Sequence, residues 1–111
     1  MKVNILGTEY TVSFADANEN PKLKHADGYM DYSAKEIVVG KFESDENSIA
    51  DITVYSKKVL RHEIIHAFLY ESGLWENSGA SEAWGSDETI TDWIALQFPK
   101  LLKAFKETDC I

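Results

Sequence analysis

The stretch Lys57-Lys58-Val59-Leu60-Arg61-His62-Glu63-Ile64-Ile65-His66-Ala67-Phe68-Leu69-Tyr70 constrains this chain more than any other. As a helix it would be apolar over most of its surface, through Val59, Leu60, Ile64, Ile65, Phe68 and Leu69. Such a helix belongs at the centre of a fold. A central helix is a costly place for His62, Glu63 and His66 unless something satisfies them.

A metal would. Residues four apart on a helix lie on one face, so His62 and His66 aim their rings at one point. Two neutral imidazoles there make half of a tetrahedral zinc site. Glu63 is rotated by about 100° from His62. It flanks the site without ligating, placed to take a proton from a metal-activated water. The plain alternative is a buried amphipathic helix with two hydrogen-bonded histidines.

Length and charge narrow the rest. The chain of 111 residues makes one domain, residues 1–111, with a small core and room for a single cleft. A formal net charge of −8 argues against nucleic acid as partner, which needs a basic footprint. No apolar run approaches a transmembrane span. Met1 to Gly7 is too short and too polar for a signal peptide. The one cysteine, Cys110, cannot form an internal disulfide, and all this fits a reducing cytoplasm. Cys110 reads most simply as an inert tail thiol. The other reading is a thiolate that reaches the metal and holds the protein latent.

Residues 2–15 alternate apolar and polar as a β-hairpin turning at Gly7-Thr8. Residues 16–28 are a polar connection that carries His25, either a solvated loop residue or a further ligand or transition-state donor. Residues 29–40 read as further strand, with Ile37, Val38 and Val39 at least partly buried. Residues 42–47 read as an acidic surface loop. The motif helix starts between Ser48 and Ser56, where Ser48, Asp51, Thr53 and Ser56 could each cap it, and ends at Gly73. A loop over 76–86 follows. Ser86 then reads as the N-cap of a second helix, which Pro99 is expected to break or kink. The fold class is therefore α+β: a three- to four-stranded, mostly antiparallel sheet packed on the motif helix and a C-terminal helix.

Catalytic zinc takes three protein ligands. With histidine nearly exhausted, a carboxylate is the natural third. Glu71, Glu76, Glu82, Asp87 and Glu88 are the candidates. Glu71 would face away, and Glu76 and Glu82 fall in the loop. Glu88, at the start of the second helix, can be presented rigidly, and Asp92 on the same face can accept the free ring N–H of a ligating histidine. Without the motif, Asp87, Glu88 and Asp92 would read simply as acids that complement a helix dipole.

His62-Glu63-Ile64-Ile65-His66 followed by Glu88-Thr89-Ile90-Thr91-Asp92 resembles the gluzincin type of zincin metallopeptidase, which carries HExxH on one helix and a glutamate ligand on a later one. The chain is also similar to compact minigluzincin-like peptidases and to small HExxH proteins of phages and their hosts, some described as ImmA/IrrE-like. Leu69 and Ser72 stand where the longer metzincin motif has its glycine and third histidine. The resemblance implies a minimal zincin fold in a phage or mobile-element context. It implies Zn2+ held by His62, His66 and Glu88, Glu63 as general base, and a peptide or protein substrate bound extended along an edge strand, with Lys35 to Gly40 the expected edge. Larger gluzincins add a histidine or tyrosine for the oxyanion. Tyr29, Tyr32, Tyr55, Tyr70 and His25 are the unassigned candidates here. The other function the residues allow is a zinc-binding, peptidase-fold module with a structural or interaction role.

Overall fold

The computed structural model describes residues 1–42, 52–79 and 84–111. Strands β1 (Lys2–Ile5) and β2 (Thr8–Ala15) form an antiparallel hairpin with Ile5 opposite Thr8. The turn is Leu6-Gly7, with φ of 51° and 94°, a backbone that matches the right-handed twist of the strands. Strands β3 (Gly28–Asp31) and β4 (Glu36–Gly40) complete a sheet of order β1-β2-β4-β3. β4 runs antiparallel to β3 and parallel to β2, so the sheet is mixed.

That order corrects one expectation: Lys35 to Gly40 is not an edge. Ile37, Val38 and Val39 are all buried, so β4 is covered on both faces and belongs inside the sheet. β3 is only half-buried and forms the edge.

Helix α1 (Ile52–Glu71) packs against the sheet. Thr53 and Ser56 lie within it and are not caps, while Ser48, Asp51 and the acidic stretch 43–47 fall outside the described residues. Leu60, Ile64 and Ala67 join Ile5, Tyr10, Val12 and Ile37 in the core. Glu71 at its end meets Lys35 Nζ at 3.2 Å and the Tyr10 hydroxyl at 3.5 Å. Burial works against its charge, but hydrogen bonds from Thr8 and Lys35 outweigh it and hold the carboxyl below its ordinary pKa. Gly73 turns the chain at φ 83° into α2 (Leu74–Asn77), a single helical turn, so the expected loop is helical at its start.

Helix α3 (Glu88–Glu107) is capped by Asp87, not Ser86, with Asp87 Oδ1 accepting the Ile90 N–H at 2.8 Å. Ser86 closes a 3-10 turn instead. Pro99 does not end the helix. Proline has no N–H, so the carbonyl four residues earlier loses its helical donor. That carbonyl belongs to Ala95, and Arg61 Nε of α1 donates to it at 2.7 Å. The same bond fastens α3 to α1. No helix among the described residues is long and apolar enough to cross a membrane.

Candidate metal centre

Two features of α3 bring Glu88 to α1. Asp87 fixes where the helix begins, and buried Thr91 and Ala95 pack one face of it inward. Glu88 and Asp92 lie along that face. Glu88 Oε1 sits 2.5 Å from His66 Nε2, and Glu88 Oε2 sits 3.3 Å from His62 Nε2. One carboxylate thus spans two rings whose centroids are 4.7 Å apart. Among the described residues, His62, His66 and Glu88 form the group whose potential ligand atoms all lie within 4.8 Å of one another.

The two histidines are held differently. His62 Nδ1 lies 3.2 Å from Asp92 Oδ1, which also accepts from Lys58 Nζ at 2.6 Å. The Lys58 hydrogen bond is the main reason the Asp92 carboxyl stays below its usual pKa. A charged Asp92 can accept Nδ1–H, the tautomer that frees the Nε2 lone pair for a metal ion. His66 is buried, and its Nδ1 has no hydrogen-bond partner among the described residues. Its ring lies 5.7 Å from that of Trp75. Burial holds its pKa below the ordinary value, against the pull of Glu88, so the ring is neutral at pH 7.

Glu63 Oε1 is 4.0 Å from His62 Nε2. Burial, and then the Glu88 charge, push its pKa up to about 7. Gly28 of β3 lies beside it. A Cβ there would come within 2.9 Å of Val59 Cγ1 and 3.5 Å of Glu63 Cγ, so glycine is what lets the edge strand approach α1 so closely. The cleft beside His62, Glu63 and Glu88 has a volume of about 310 Å³ and is further lined by His25, Asp27, Gly28, Tyr55 and Lys58.

The donor set suits zinc. It combines two imidazole nitrogens and a carboxylate, with a further carboxylate behind one ring. Ligand atoms on a zinc tetrahedron are about 3.3 Å apart. The Glu88 side chain is 74% exposed and so has the freedom to open its 2.5 Å contact to that spacing.

The other ligand candidates are engaged elsewhere or lie apart. Glu71 is paired with Lys35, Asp87 is the cap, Glu76 is exposed and outside the group, and Glu82 falls outside the described residues. His25 is exposed and lines the cleft without joining the group. Of the oxyanion candidates, the Tyr29 hydroxyl accepts from Asn20, Tyr32 stacks on Tyr70, and the Tyr55 hydroxyl donates to Asp27 at the cleft wall. Cys110 Sγ contacts the Phe105 carbonyl beyond the far end of α3. The helix of 20 residues separates it from Glu88 by about 30 Å, which removes the latent-thiolate reading.

Sequence reasoning missed Lys58 and Trp75. Lys58 was findable, since it stands four residues before His62 on the same helical face. Trp75 follows the turn at Gly73, where the sequence allows it to fold back on the last turn of α1, but spacing alone does not reveal its contact with the His66 ring. Neither protein-family models, curated proteins nor solved structures give a match to this chain.

Proposed function

We propose that this protein is a zinc-dependent metallopeptidase. The observation that carries the reading is the convergence of His62 Nε2, His66 Nε2 and the Glu88 carboxylate beside the buried Glu63. His62, His66 and Glu88 would hold the ion. Zinc, when bound, supplies a Lewis acid that acidifies a water and polarises a carbonyl. Glu63 takes a proton from the attacking water and delivers it to the leaving amine. Asp92, kept charged by Lys58, fixes the His62 tautomer. The outer edge of β3, brought close by Gly28, offers backbone groups to an extended peptide. Two histidines and a carboxylate also serve non-haem iron oxygenases. A buried glutamate next to the group has a task in hydrolysis and none in that chemistry.

The test compares zinc-loaded wild type with Glu63→Gln on a diverse peptide library. Wild type is expected to cleave. Glu63→Gln is expected to keep its zinc and lose roughly 100- to 10,000-fold in rate. A wild type that holds zinc and cleaves nothing supports the second reading, a zinc-binding module with a structural or interaction role.

A further inference from the structure

We propose that Tyr32, Tyr70 and Trp75 form an aromatic shelf beside His66, and that it selects peptides with an aromatic side chain next to the bond attacked. The inference rests on the peptidase reading of the same site. Tyr32 and Tyr70 stack with centroids 4.3 Å apart and planes 18° apart. Trp75 meets both edge-on, at 6.3 Å from Tyr32 and 6.0 Å from Tyr70. Its other neighbour is the His66 ring at 5.7 Å, so the shelf begins at a candidate ligand.

The shelf also continues the edge strand. Tyr32 directly follows Asp31, the last residue of β3. Tyr70 stands one helical turn beyond His66 on the same face. A peptide paired along β3 would pass Gly28 and Glu63 at one end and reach these rings at the other. Tyr32 remains 46% exposed, so the rings present a surface to solvent and do not simply fill the core.

An aromatic surface can attract a ring or a cation. Lys35 decides between them. Its Nζ already lies 5.2 Å over the Tyr70 ring and 5.6 Å over the Tyr10 ring, tethered by Glu71 at 3.2 Å. A lysine or arginine from a substrate would meet this ammonium, whereas an aromatic ring can pack edge-on or offset against Tyr32 and Trp75.

The experiment titrates zinc-loaded Glu63→Gln with capped hexapeptides that differ only in one central residue, Phe, Ala or Lys. The Phe peptide is expected to bind roughly tenfold more tightly than the other two. Tyr32→Ala, at an exposed turn where the core is spared, is expected to remove that difference. Trp75→Phe, which keeps a ring, is expected to retain most of it. Equal binding of the three peptides overturns the shelf, as does a Phe preference that survives both Tyr32→Ala and Tyr70→Ala. Wild-type cleavage measured in parallel separates the two claims. Cleavage without ring preference overturns the shelf and leaves the peptidase reading standing. A ring preference in binding without any cleavage removes the peptidase reading and overturns the claim that the shelf selects the bond attacked.

Discussion

His62 and His66 stand one turn apart on α1 and turn the same ring nitrogen to the same carboxylate, yet opposite forces hold them. A hydrogen-bond chain, Lys58 to Asp92 to His62, orients the first ring. Burial and the nearby Trp75 ring confine the second, whose Nδ1 has no partner among the described residues. Behind the first ring a bond at Nδ1 fixes tautomer and angle together, while behind the second packing fixes position and gives Nδ1 no partner among the described residues. The pair therefore teaches that one helix can present two like candidate ligands with unlike support, a polar side at His62 and an aromatic side at His66.

The largest effect tests whether both are needed. His62→Leu and His66→Leu are each expected to abolish stoichiometric zinc binding, measured by metal analysis after dialysis. Without metal they should part. His66→Leu removes a buried unpaired Nδ1 along with the Nε2 contact to exposed Glu88, and is expected to raise folding stability by about 1 kcal/mol net. His62→Leu removes a satisfied one and is expected to bring no such gain. Equal stability changes in urea unfolding would break the comparison.

Beside the His62 ring, Glu63 makes the next largest effect. Its pKa rises from an ordinary 4.5 to about 7 on folding. In metal-stripped protein the folded state therefore keeps a proton that the unfolded state has released. Stability from this group is full below pH 4.5 and is lost as pH rises through 7, by about 3 kcal/mol. Burial of neutral His66 acts with the opposite sign, so the readout is the difference between wild type and Glu63→Gln. Parallel pH profiles for the two would contradict the burial of Glu63.

Asp92→Ala and Trp75→Ala sharpen the contrast directly. Loss of the hydrogen-bonded support is expected to weaken zinc about 10- to 100-fold by competition titration. Loss of the packed support is expected to cost less. The smallest effect concerns the platform. Arg61→Met leaves the Ala95 carbonyl without its donor and is expected to cost about 1–2 kcal/mol of stability.

The local parts of this arrangement were legible. The spacing of His62 and His66 and the turn at Gly73 follow from helix geometry, and the hairpin follows from alternation. What spacing could not supply depends on partners far along the chain. β4 sits inside the sheet because Ile37, Val38 and Val39 need two covered faces, but only β2 and β3 together show which strands flank it. Pro99 reads as a helix breaker until Arg61 of another helix takes up the carbonyl it strands. Ser86 and Asp87 are both good caps, and only the Ile90 bond chooses between them. The unlike support of the two histidines is of the same kind, since Lys58 and Asp92 meet only through the packing of α1 on α3.

The central claim is that His62, His66 and Glu88 hold one zinc ion. Anomalous diffraction at the zinc edge, from crystals grown with one equivalent of zinc, tests it most directly. The expected result is a single peak about 2.0–2.2 Å from His62 Nε2, His66 Nε2 and a Glu88 carboxylate oxygen. A peak held by other side chains, or none between these three, would contradict it.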